Sequence, residues 1–245
     1  MSAFFTEVRQ TIVPERDAKF GPLPPLMVAM TLVTGLVDAF SYLVLGHVFV
    51  ANMTGNVVLL GFALVGAPGF SITASVVAVG SFGLGAVAGG RIASRFGRDR
   101  GRHLTIAAAT QGAFLAAAVI VAALSQSPVS AGVRYGLIVA LAIAMGIQNA
   151  TARNLAVPDL TTTVLTLTIT GMSADSAIGG GKGSKSGRRS IAIAAMLAGA
   201  VIGAALVVHH HIVYPLALAL VLIAGVATTT ALLARSNPSW VQTER

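Results

Sequence analysis

The chain has 245 residues, of which 55% are hydrophobic and only 10% charged, and its mean hydropathy of +0.84 excludes a soluble domain whose surface must meet water. The formal charge of +8 would suit nucleic acid, but excess Lys and Arg normally decorates the cytoplasmic loops of a membrane protein, so no nucleic-acid partner is expected. With zero cysteines, disulfides and thiol chemistry are excluded as well.

In chain order, residues 1–22 mix both charge signs (Glu7, Arg9, Glu15, Arg16, Asp17, Lys19) and lack a cationic start followed by a cleavage site. They are read as a cytoplasmic N-terminal segment rather than a signal peptide. Residues 23–234 form a single transmembrane domain, followed by a tail at 235–245. Six apolar runs approach the about 20 residues a helix needs to span the bilayer. They cover 26–45, 72–88, 104–124, 135–146, 191–208 and 212–234, and two shorter, more polar runs cover 48–65 and 160–174. The runs are continuous rather than alternating, which disfavours a β-barrel and predicts an all-α polytopic bundle in the lipid bilayer.

The two halves read as diverged copies, about 23–124 and 132–234. GLVDAF (35–40) is followed by VANMTGN (50–56), and GIQNAT (146–151) by TTVLTLT (162–168). Gly35 matches Gly146, Asp38 matches Asn149, Ala39 matches Ala150 and, after a one-residue slip, Thr54 matches Thr166. Each copy then carries a ladder of small residues spaced four apart, Ser81, Gly85 and Gly89 in one and Ala195, Gly199 and Gly203 in the other. Such a face lets helix backbones approach closely.

Charge tests the topology. The basic clusters Arg91, Arg95, Arg98, Arg100, Arg102 and Lys182, Lys185, Arg188, Arg189 should share the cytoplasmic side. About eight crossings would put them on opposite sides. If the two short polar runs enter the membrane and return, about six crossings remain, and both clusters, both termini and Arg235 fall on one face. The halves then have inverted topology, and the tips of the two short runs meet near the midplane. Six crossings are the favoured reading, and eight parallel-repeat crossings the alternative.

Asp38 lies about eight residues before the end of the first run, or about 12 Å of helical rise, inside the hydrocarbon. A carboxylate there must be neutralised, paired or facing water, which makes a functional role the default and a structural hydrogen-bonding acid the bland alternative. Asn52, Thr54, Gly55 and Asn56 suit a break in the membrane segment: glycine permits a close approach, and the amides and hydroxyl satisfy the exposed backbone. In the second copy Gln148 and Asn149 supply neutral amides, and Thr161, Thr162, Thr163, Thr166 and Thr168 line the matching run. Arg153 either reaches Asp38 across the repeat interface or snorkels to the surface, with snorkelling favoured. Gln111 is a lining residue or interhelical glue, with glue favoured.

Two motifs carry no chemistry. GGGKGSKSG (179–187) lacks the glycine-lysine-serine order of a phosphate loop, and His209, His210 and His211 point about 100° apart on a helix, so no metal site is expected.

The stretch GLVDAFSYLVLGHVFVANMTGNVVLLG (35–61) resembles the YoaK family of bacterial integral membrane proteins. The glycine, Asp38-Ala39 and Thr54-Gly55-Asn56 elements carry the likeness. GIQNA and the threonine-rich run are similar to the family's second signature. Thr166-Leu167 stands where a threonine-glycine pair belongs, so a softer second break is expected. The resemblance implies a multi-pass inner-membrane protein and supplies no substrate.

The residues lead to a permease or channel-like transporter for an unknown small solute or ion, with Asp38, Asn52, Thr54, Gly55, Asn56, Gln148, Asn149 and Thr166 near a polar midplane site and no cofactor. The alternative is a nonenzymatic scaffold or sensor that binds another helix through the glycine ladders. An enzyme is disfavoured because Asp38 has no intramembrane His, Glu or Cys partner. The short chain is compatible with a homodimer.

Overall fold

A computed structural model describes residues 2–13, 18–125, 129–160, 165–176, 180, 186–209, 211–236 and 238–242. Glu15, Arg16, Asp17, Thr161, Thr162, Thr163, Lys182, Lys185 and His210 lie outside the described residues. The secondary structure among the described residues is helical: α1 (Ser2–Ile12), α2 (Leu23–Val44), α3 (Met53–Leu64), α4 (Ile72–Phe96), α5 (Arg100–Leu124), α6 (Ala131–Leu155), α7 (Leu165–Ala174), α8 (Ser186–His209), α9 (Val213–Ala234) and a 3-10 turn at Ser239–Val241. Six of these helices, α2, α4, α5, α6, α8 and α9, are long and apolar enough to cross a membrane.

Local chemistry sets the helix ends. Pro24 and Pro25 sit in the first turn of α2, where a missing N–H costs nothing. Ser71 and Asp99 cap α4 and α5, their side chains accepting from the amides of Ala74 and Arg102. Gly46 (φ +89°) and His47 (φ +56°) turn the chain sharply after α2. The spans overrun the apolar windows at their charged ends: α4 continues through Arg91 and Arg95, and α6 through Arg153. Long basic side chains reach water from a helix still inside the interface.

The small-residue ladders bring the helices together in two close pairs. Gly35 of α2 lies against the backbone from Met196 to Ala200 of α8, while Gly199 and Gly203 lie against Leu32 and Leu36. Gly146 of α6 lies against the backbone from Phe82 to Ala86 of α4, while Gly85 and Gly89 lie against Ile143 and Ile147. None of these glycines leaves room for a Cβ. Residue numbers rise together across both contacts, so α2 runs parallel to α8, and α4 to α6. Gly101 meets Ala234 and Gly112 meets Ile223, which makes α5 antiparallel to α9.

These directions gather the basic residues at one end of the bundle. Gly97, just after α4, touches Asn154 near the end of α6. The Arg100 guanidinium donates to the carbonyls of Lys19 (3.1 Å) and Trp240 (3.5 Å). Glu7 of α1 accepts from the amide of Gly187 at the start of α8 (2.9 Å). The described parts of both chain ends therefore lie at the end of the bundle that holds the starts of α2, α5 and α8 and the ends of α4, α6 and α9.

Candidate functional site

The segment after α2 dips into the bundle and returns. Asp38 lies six residues before the end of α2, about 9 Å below it. Its Oδ1 accepts from the amides of Val50 (3.1 Å) and Ala51 (2.8 Å), so the chain has descended to that depth by residue 51. Helix α3 then climbs back. Its last turn brings Phe62 against Phe70, which packs on His47, and His47 Nδ1 bonds to Gly69 O (3.0 Å). Both ends of this hairpin thus lie at the end of the bundle opposite the basic one.

Helix α7 does the same from the other side. Its C-terminal end is held at the basic end, where Arg189 of α8 bonds Asp175 (2.9 Å) and also Asp159 on the incoming chain (2.9 Å). Its N-terminal end reaches a shared cavity. The 12 residues of α3 and 10 of α7 rise about 18 Å and about 15 Å, so each covers about half of a 30 Å hydrocarbon core.

Both short helices begin at one cavity of about 510 Å³. Its lining includes Asp38 of α2, Asn52, Thr54 and Gly55 at the start of α3, Asn149 of α6 and Thr166 of α7. Asn52 caps α3, its Oδ1 accepting from the amide of Gly55 (3.2 Å), and Gly55 leaves the space that the Phe49 ring occupies. Asn149 donates to Met145 O (2.9 Å) from its place on the wall.

Two of the residues expected at the site turn elsewhere. Asn56 is fully buried and bonds both polar groups of Phe49, its Oδ1 accepting from the amide (2.9 Å) and its Nδ2 donating to the carbonyl (2.6 Å). It splices the broken backbone and does not line the cavity. Gln148 is buried between helices, donating to Thr34 Oγ1 (2.8 Å) and Met30 O (3.1 Å) while accepting from Gln111 (2.7 Å). That network ties α2, α5 and α6 together, and it gives Gln111 its interhelical role. Arg153 is exposed in the last turn of α6, and Asp38 is met by backbone amides.

The cavity also takes Phe82 of α4 and Met196 of α8, which sequence reasoning missed. A signal existed: each follows the first small residue of its ladder, Ser81 or Ala195, and each carbonyl is the one that Gly146 or Gly35 packs against. A second missed pattern is the buried stripe Thr31, Thr34, Asp38 and Ser41, spaced three, four and three apart along one face of α2.

Among the described lining residues Asp38 is the one ionisable side chain. Hydroxyls, amides and the N-terminal turns of two helices surround it, alongside the apolar Val58, Phe82 and Met196. Such a mixture binds through hydrogen bonds while leaving apolar surface for a small solute to slide against.

The model of a protein family of unknown function, DUF1275, matches residues 26–230. The chain is also 36% identical over 151 residues to the UPF0700 transmembrane protein YoaK of Bacillus subtilis (strain 168). That match covers 61% of this chain and 65% of the relative, somewhat less than two thirds of its length. No solved structure matches the chain.

Proposed function

Because the chain belongs to the DUF1275 family of unknown function, its role has to come from its own residues, and we propose that it is a permease for a small polar solute or ion. The carrying observation is that two half-length helices, α3 and α7, start at one cavity beside the intramembrane Asp38. Broken backbone at this depth is tolerated where protein or a water-filled cavity satisfies it, and transport sites are built from such breaks.

The pairing of lining residues supports a two-fold internal repeat around the cavity. Asp38 and Asn149, Thr54 and Thr166, and Phe82 and Met196 stand at matched positions of the two halves. An inverted repeat of this kind supports alternating access, each half opening toward its own side. The basic end, with Arg91, Arg95, Arg98 and Arg188, is the cytoplasmic one under the positive-inside rule, and the membrane is the inner membrane of a bacterium.

The test is solute flux. Purified protein in liposomes is challenged by stopped-flow light scattering with urea, glycerol and erythritol, and by pH-dye and potential-dye assays with proton and potassium gradients. Wild type accelerates at least one of these fluxes over empty liposomes, and Thr166→Trp, which fills the cavity, removes the gain. Folded wild type that moves none of them overturns the proposal.

A further inference from the structure

Asp38 brings more chemistry to its position than the backbone there requires. Its Oδ1 accepts from the amides of Val50 (3.1 Å) and Ala51 (2.8 Å), and the Asn52 amide also faces the carboxyl. That fastening asks only for an acceptor, which an asparagine side chain supplies as well. What a carboxyl adds is a group that ionises, and it stands on the wall of the cavity where both short helices begin.

The geometry accommodates either protonation state. Both bonds fall on Oδ1, so a proton on Oδ2 leaves Oδ1 a carbonyl oxygen with two lone pairs for Val50 and Ala51. The hairpin stays fastened whether the acid is charged or neutral. Toward the cavity the two states differ: the carboxylate only accepts hydrogen bonds, and the neutral acid also donates one. A solute at this wall therefore binds the two states unequally, which links its binding to that of the proton.

An adjacent cation would hold the carboxylate permanently charged, and no described basic side chain pairs with Asp38. Helix α2 carries one further titratable group, Tyr42, whose ring stacks on Phe49. On the incoming chain His47 bonds to Gly69 at the end of the bundle opposite the basic one. Helices α3 and α7 contain no ionisable residue, and residues 161–164 are three threonines and a valine. Helix α9 has only the exposed Tyr214. The charged residues of α4, α6 and α8 stand toward the helix ends: Arg91 and Arg95 in α4, Arg134 (beside Tyr135) and Arg153 in α6, and Arg188, Arg189 and His209 in α8. Helix α1, with Glu7 and Arg9, meets the bundle at its basic end.

We propose that Asp38 is the proton site of a proton-coupled permease, taking up a proton with a solute from one side and giving both up on the other. The inference rests on the permease reading and adds the coupling to it. Only the Oδ2–H bond forms and breaks; the proton comes from water and returns to water, and no electron is transferred. Intramembrane acids serve proton relays in transporters, and alternating access supplies the two-sided exposure this cycle needs.

Purified full-length protein in liposomes, loaded with a pH-sensitive dye, tests the coupling. Internal and external pH start equal, and valinomycin with equal potassium clamps the potential. Inward gradients of urea, glycerol and erythritol are then imposed in turn. At least one of them is expected to acidify the lumen of wild-type liposomes, and Asp38→Asn is expected to lose that signal. Flux of a probe without acidification overturns the coupling and leaves the permease standing. Absence of any flux overturns both, and acidification that persists in Asp38→Asn removes Asp38 from the proton's path. Infrared difference spectra between acid and alkaline pH give a readout independent of flux. Wild type is expected to show a carboxylic-acid carbonyl band that Asp38→Asn lacks, and identical spectra would mean that Asp38 does not change its protonation, which overturns the proposal.

Discussion

Asp38 holds two amides that the hydrocarbon would otherwise leave without partners. An amide oxygen accepts as a carboxylate oxygen does, so Asp38→Asn keeps an acceptor for Val50 and Ala51. Asp38→Leu keeps none. Each buried amide left unpaired costs about 1–3 kcal/mol, so Asp38→Leu lowers unfolding stability by roughly 2–6 kcal/mol while Asp38→Asn stays folded. Thermal melting of both variants in detergent checks this, and flux through the folded Asp38→Asn then reports what the charge contributes. The glycines divide as sharply. A Cβ at Gly146 of α6 runs into the Phe82 carbonyl, and overpacking of that kind costs about 1–3 kcal/mol or more, whereas Gly80 of α4 has open space around it. Gly146→Ala is therefore expected to melt lower, and Gly80→Ala to gain up to about 1 kcal/mol from helix propensity. At this scale the sequence reveals depth and residue type but not direction. Asp38 was legible because an acid at that depth needs compensation. Asn56 and Gln148 were misplaced because an amide facing a cavity and an amide facing a backbone look the same in a string of letters.

Two hairpins of like shape are fastened by unlike chemistry. The one around α3 is closed by aromatic rings, Tyr42 stacked on Phe49 (5.0 Å) and Phe62 edge-on to Phe70 (5.4 Å). The one around α7 is closed by Arg189, whose guanidinium takes the space left by Gly171 and grips Asp159 and Asp175. Asp175 is 56% exposed and Asp159 only 15%, so water screens the first pair far more than the second. Asp175→Asn is expected to cost less than about 1 kcal/mol. Arg189→Gln, which releases both carboxylates, speeds amide hydrogen exchange in α7 and leaves α3 unchanged. Equal exchange in both helices would show that the arginine does not hold the hairpin. The half-length of these helices was foreseeable from charge: only a returning run puts Arg98 and Arg188 at the same end. Their fastening was not, since Arg189 and Asp159 are 30 residues apart and nothing local couples them.

At the scale of the molecule, the sequence carried the number of spans, the shared end of the basic residues and the meeting of the two short runs. It did not carry the exchange of partners, in which the first long helix of each half packs along the ladder helix of the other: α2 on α8 and α6 on α4. A ladder of small residues announces a close contact without saying with what. This exchange places the cavity between the halves, so its shape depends on how they sit together. The account stands on both short helices returning to the side they came from. Single cysteines at His47, Pro68, Arg98 and Ala174, labelled with a membrane-impermeant maleimide from each side of sealed vesicles, test that return most directly. It predicts that His47→Cys and Pro68→Cys react from one side, and Arg98→Cys and Ala174→Cys from the other. A pair split between the two sides, His47 from Pro68 or Arg98 from Ala174, would mean that a short helix crosses and would contradict it.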